Sequence, residues 1–126
     1  MIAKRKKTAT EKPNAQDFAI EAARLAANTR CKDVVVLDVR SVSPITEFLV
    51  IATGTSARQM RSVMDEIEEL GEPRGFKALS RAVEKSENWL LIDFVDVVIH
   101  AFSDEGRSYY DLAGLWGDAP QVEWKA

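Results

Sequence analysis

The chain reads as an α/β domain in which one mixed β-sheet is flanked by helices, and three observations predict it. Two segments, opening at Asn14 and at Ser56, repeat apolar residues at the 3.6-residue spacing of an amphipathic helix. Several short runs are apolar at nearly every position and rich in β-branched residues, the signature of buried strands. The order is helix, strand, strand, helix, then further strands. Directly joined strands pair antiparallel and a helical crossover joins parallel ones, so the sheet is mixed.

Each element has its own signal. In the first helix Ala15, Phe18, Ala19, Ala22, Leu25 and Ala26 share a face, Asn14 is the N-cap and Asp17 lies in the first turn. The small side chains on that face predict close packing. DVVVLDV, 33–39, and EFLVIAT, 47–53, are strands separated by the interruption RSVSP. The second helix lines Ala57, Met60, Val63, Met64, Ile67 and Leu70 along one side, with Ser56 as its cap and Gly71 and Pro73 as its stop. FKALS, 76–80, is a candidate strand. WLLIDF, 89–94, and VVIHAF, 97–102, form an antiparallel hairpin turning near Val95 and Asp96. EGRSYYDLAGLW, 105–116, closes the domain as a short helix with an aromatic side.

Composition sets the class. With 126 residues, 46% of them apolar and 29% charged, the balance is that of one soluble globular domain. Its expected organisation is a basic arm at 1–13, a folded domain at 14–118 and a tail at 119–126. One cysteine, Cys31, makes no internal disulfide, and with a single histidine it cannot close a zinc site. No metal or other cofactor is expected, and a reducing cytoplasm is the expected location. The start lacks the apolar core of a signal peptide, and no stretch approaches the roughly 18 apolar residues of a membrane span. Of the formal net charge of −3, the first twelve residues carry +4 and the rest −7. The arm could touch RNA phosphates or simply be a solvated terminus; the acidic body argues against broad nucleic-acid binding.

The candidate sites divide by spacing. Two carboxylates that share a metal pair on one strand need Asp-x-Asp, because residues i and i+2 face the same way. Asp93 and Asp96 stand three apart. They either point to opposite faces of one strand or flank a turn, where aspartate is common for its local hydrogen bonds. His100 shares a face with Val98 and Phe102, and no serine or cysteine nucleophile motif accompanies it. TGTSAR, 53–58, is a strand-to-helix junction whose amides could cradle an anion or serve for capping; it matches neither the Walker motif nor the dinucleotide fingerprint. The last third concentrates Trp89, Tyr109, Tyr110, Leu112, Leu115 and Trp116, residue types that anchor protein interfaces. Some of these pack the last helix on the sheet and the rest form a docking patch.

VVLDV, ATGTSARQ, NWLLIDFVDVVIHAF and RSYYDLAGLWGDAP, taken together, resemble the ribosomal silencing factor family, also called Iojap. Its pattern is TGTS-x-R, a tryptophan, a strand aspartate, Gly-Asp-x-x-x-His, and Arg-x-x-Tyr-x-Leu-Glu-x-Leu-Trp. The chain departs from it at Val95, where the family has glycine, and at Ala113, where it has glutamate. A β-branched residue resists positive φ, so either the turn type differs at Val95 or its strain is tolerated.

The resemblance implies a non-enzyme with a nucleotidyltransferase-like fold that lacks catalytic carboxylates. It implies binding to the large ribosomal subunit through ribosomal protein L fourteen, a steric block to the small subunit under nutrient limitation, and homodimers of several members when free. On that reading the contact region is Trp89, Asp93, Asp96, His100, Arg107, Tyr110, Leu112, Leu115 and Trp116, with Thr55, Ser56 and Arg58 as secondary candidates. Acidic members of the patch would complement a basic ribosomal protein. The rival readings are an RNA-binding ribosome-assembly factor and a metal-dependent nucleotidyltransferase relic.

Overall fold

A computed structural model describes residues 14–109, 114 and 116–125. The first helix, α1, is Ala15–Asn28, and the Asn14 side chain accepts from the Asp17 amide at its start, as the sequence predicts. Strand β1, Lys32–Asp38, pairs antiparallel with β2, Phe48–Thr53. The second helix, α2, is Ala57–Gly71 with Ser56 as its N-cap. A meander follows: β3, Ser80–Val83; β4, Trp89–Asp93; and β5, Val97–Phe102, each antiparallel to the next. Strand β5 then lies parallel beside β2, which makes the sheet mixed with the order β1-β2-β5-β4-β3. Helix α3, Asp104–Tyr109, follows β5.

Both long helices cover one face of this sheet. Phe18, Ala19, Ala22, Met60, Val63, Met64 and Ile67 pack on Val36, Phe48, Val50, Leu90, Ile92 and Ile99 in one buried cluster. Alanines on α1 let its backbone approach the sheet, and Ala19, Ala22 and Ala23 are wholly buried. Phe18 stacks on Phe76 with centroids 4.6 Å apart and meets Phe94 edge-on at 4.9 Å.

Two boundaries differ from the expectation. Gly71 stays helical, and a 3-10 turn at Glu72–Arg74 carries the chain to Gly75, whose φ of 86° supplies the left-handed stop. The third strand is Ser80–Val83 and not 76–80. Phe76 is drawn into the core against Phe18, its amide bonds back to the Gly71 carbonyl, and the first bond to β4 is from the Leu79 amide to the Asp93 carbonyl, with regular pairing from Ser80.

The two edges of the sheet are treated differently. Gln121 forms a bridge to Leu37, the Asp38 amide donates to the Pro120 carbonyl, and the Val122 amide donates to Val36, so residues 120–122 run along β1. Trp124 adds an indole hydrogen bond to the Val34 carbonyl at 3.1 Å and packs against the core. All four residues of β3 are exposed. Among the described residues no helix is long and apolar enough to cross a membrane.

Candidate functional site

The second face of the sheet is lined by alternate residues of every strand. Leu37, Leu49, Ile51 and Phe102 are buried on it; Val35, Trp89 and Val98 are half-buried, and Trp116 and Ala119 of the C-terminal segment pack against them. Register fixes the neighbours: Trp89 lies opposite Phe102, Leu91 opposite His100 and Asp93 opposite Val98. Trp89, His100 and Phe102 form an aromatic group, Trp89 stacking on Phe102 at 5.2 Å and His100 lying parallel to Phe102 at 6.2 Å.

His100 is 7% exposed and is satisfied by Trp89, whose indole Nε1 donates to Nδ1 at 3.0 Å. Burial pushes the imidazole down to about 4, so the ring is neutral near pH 7. A neutral ring that accepts at Nδ1 carries its proton on Nε2. This fixes both rings without supplying a base poised near neutrality.

Asp93 and Asp96 flank a turn. Asp93 Oδ1 accepts from the Val95 amide at 2.7 Å, and the Asp96 amide donates to the Phe94 carbonyl across Val95, a γ-turn by its i to i+2 bond. Val95 holds φ at 75°, so the strain is tolerated and not avoided. The Asp96 carbonyl accepts from the amides of Glu47 and Phe48, which ties the turn to β2. Along β4, Asp93 is four residues from Trp89, roughly 13 Å, so Asp93 and Trp89 occupy opposite ends of the same face. Among the described residues no group of three or more His, Cys, Asp or Glu is placed to hold a metal ion.

The aromatic end is built by a clasp. The Asn88 carbonyl accepts from the Ser103 amide, Ser103 Oγ lies 2.6 Å from Asn88 Oδ1, and the Gly106 amide donates to Ser103 Oγ, capping α3. A Cβ on Gly106 would stand 2.2 Å from the Asn88 carbonyl oxygen, so only glycine allows α3 this close. Arg107 then reaches back to Thr53, donating to its Oγ1 at 2.7 Å. Lys32 and Asp104 form a 2.9 Å ion pair that adds an exposed tether between β1 and α3.

At TGTSAR the amides of Gly54 and Thr55 are committed. Gly54 donates to the Phe102 carbonyl, Thr55 donates to Gln59 Oε1, and Ser56 Oγ accepts from the Gln59 amide. This is capping, and a Cβ on Gly54 would collide with Met60 Cγ at 2.2 Å. Arg58 is exposed on the following turn.

The structure therefore gathers Trp89, His100 and Arg107 at one end of the face, sets Asp93 at the other with Asp96 in the adjoining turn, and leaves Trp116 half-buried in a cleft of about 350 Å³ with Val42 and Asp118. Tyr110, Leu112 and Leu115 lie outside the described residues. Leu91 and Phe102 belong to the same face without having been singled out. Strand parity from Trp89 and His100 finds them, whereas the Asn88–Ser103 clasp and the Thr53–Arg107 bond have no local signal.

Comparison with known proteins agrees with this architecture. The family model described as "Ribosomal silencing factor during starvation" matches residues 12–126. A ribosomal silencing factor of Halalkalibacterium halodurans is 35% identical over 107 residues, covering 82% of this chain and 92% of that protein. One from Bacillus subtilis is 33% identical over 102 residues, covering 81% and 86%. The chloroplastic Iojap protein of Arabidopsis thaliana is 36% identical over 84% of this chain, which spans 44% of the plant protein. A crystal structure of a Chromobacterium violaceum protein superposes with a TM-score of 0.76 at 25% identity, covering 90% of this chain and 93% of that one. One from Bacillus halodurans gives 0.68 at 29% identity, covering 86% and 95%. With its model matched over nearly the whole length and its motifs set in one continuous fold, this chain belongs to the ribosomal silencing factor family.

Proposed function

We propose that this protein silences translation by occupancy. It binds the large ribosomal subunit through ribosomal protein L fourteen and its bulk keeps the small subunit from joining. The observation that carries the reading is the second sheet face, where Trp89 and Trp116 are half-buried beside a buried apolar floor of Leu37, Leu49, Ile51 and Phe102. A face that is rigid, apolar and rimmed by Asp93, Asp96 and Asp118 suits docking onto a basic protein, because preorganised aromatics lose little entropy on binding. A neutral His100 already bonded to Trp89 favours a packing role over a catalytic one.

On the same reading the fold is a nucleotidyltransferase-like frame without its catalytic carboxylates, the basic residues of 1–13 add a weak rRNA contact, and the free protein is a homodimer. The test is capture of isolated ribosomal protein L fourteen by the wild-type chain and by Trp116→Ala, with circular dichroism as the folding control. Capture by the wild type and its loss in the variant are expected; equal capture by both would move the contact off this face, and no capture by either would remove the partner.

A further inference from the structure

We infer that the outer edge of β3 is a strand-acceptor site for an extended peptide that alternates an apolar and a basic side chain on one face. The inference names the docking element and the chemistry of its ligand; it rests on the preceding reading only for the identity of the protein that supplies the peptide.

The backbone makes the first part of the case. Antiparallel pairing alternates the groups that face the neighbouring strand, and the Glu84 amide bonds the Trp89 carbonyl at 2.9 Å. Ser80, Ala82 and Glu84 therefore face β4, while the N–H and C=O groups of Arg81 and Val83 point away from the sheet. Among the described residues nothing covers them, although residues 120–122 run along the opposite edge. Natural sheets blunt an open edge with charge or a covering element. Here the charge is spent elsewhere, since Arg81 is held by Asp65 at 2.7 Å and Glu68 at 3.1 Å. Leu79 and Val83, which flank it, are 69% and 50% exposed.

The side chains make the second part. Ala82 leaves a groove of about 240 Å³ on the second face, walled by Val83, Glu84, Trp89 and Leu91. Beside it is a cavity of about 330 Å³ lined by Glu84, Ser86, Asn88, Glu105, Gly106 and Tyr109. Glu84 is a wall of both. Neither Glu84 nor Glu105 is in an ion pair among the described residues, whereas Glu87 and Asp104 nearby are paired with Arg61 and Lys32. A strand added to β3 projects alternate residues onto this face roughly 7 Å apart. One apolar side chain fills the groove over Leu91 and Trp89, and the next on that face brings a cation between Glu84 and Glu105.

Charge complementarity also decides against a second copy of this chain. A copy pairing through its own β3 would present Ser80, Ala82 and Glu84 to that face, setting the carboxylates against neutral groups or another carboxylate.

The test uses a fluorescein-labelled seven-residue peptide, Val-Thr-Lys-Thr-Val-Thr-Lys, which sets valine and lysine alternately on one face, followed by polarisation; the valine–glutamate control is the same peptide with glutamate for lysine. The wild-type protein is expected to bind it saturably and to ignore a valine–glutamate peptide. Val83→Pro removes an outward amide while leaving the β4 ladder intact, and is expected to weaken binding roughly tenfold with its melting temperature little changed. Glu84→Gln keeps the acceptor that Ser86 and Asn88 use but drops the charge, and is expected to weaken binding several-fold. No saturable binding, or equal binding by all three proteins, overturns the inference. Co-sedimentation with large subunits is run in parallel: if Val83→Pro co-sediments like the wild type, the edge is not the docking element although silencing stands, and if the wild type itself does not co-sediment, silencing falls while the peptide result still judges the edge.

Discussion

The indole Nε1 of Trp89 donates to Nδ1 of His100 across 3.0 Å, and a ring nitrogen that accepts carries no proton. Protonating His100 therefore breaks this bond inside a buried face. Its folded value is about 4, below the ordinary 6.5, so between those values the unfolded chain binds the proton and the folded chain does not. Stability is full above pH 6.5 and falls as pH drops to about 4, by about 3 kcal/mol over the window. Urea unfolding across this range should show that slope in the wild type and a smaller one in His100→Gln; equal slopes would mean His100 titrates normally.

Val95 is the strained residue of the β4–β5 turn, at φ 75° with its side chain 44% exposed. Left-handed backbone costs a β-branched residue about 1–2 kcal/mol, and the greater unfolded-state freedom of glycine offsets part of the gain. Val95→Gly is expected to stabilise the fold by about 1 kcal/mol, a rise of a few degrees in Tm by calorimetry. An unchanged or lower Tm would show that the turn is not strained at Val95.

Gly106→Ala places a methyl against the Asn88 carbonyl, where no flexible side chain can yield. Overpacking of this kind costs about 1–3 kcal/mol. Helix α3 is expected to lift from the clasp, so the Gly106-adjacent Ser103 and Arg107 amides should lose hydrogen-exchange protection while those of β2 keep theirs. Uniform protection would mean that α3 accommodates the methyl in place.

Ser56→Ala separates capping from contact at the secondary site. It removes the acceptor of the Gln59 amide and is expected to cost about 1 kcal/mol in urea unfolding. Binding to large subunits should be unchanged at concentrations where the variant is folded; a loss of binding by the folded variant would place Ser56 in the interface.

Much of this was legible in the residues. The two long helices announce themselves because their apolar spacing and caps are local, and Asn14 and Ser56 occupy the cap positions they predict. The hairpin was legible because Asp93 and Asp96 do in the turn what aspartate does locally. Strand β3 was misplaced because an edge strand exposed on both sides carries no alternation, while Phe76 beside it does the apolar work of the core. Conflict at Val95 was visible, but its resolution was not, since the turn is held by bonds from the distant Glu47 and Phe48 amides to the Asp96 carbonyl. Arg107 and Thr53 are 54 positions apart, and only the parallel placement of β5 beside β2 brings them together.

The central claim, occupancy without chemistry, is tested most directly by titrating the protein into purified small and large subunits and following their joining by light scattering. The account expects joining to fall in proportion to added protein, to reach its floor at about one copy per large subunit, and to lose this effect with Trp116→Ala. Unchanged joining at saturation, or complete inhibition by far less than one copy per large subunit, would contradict it.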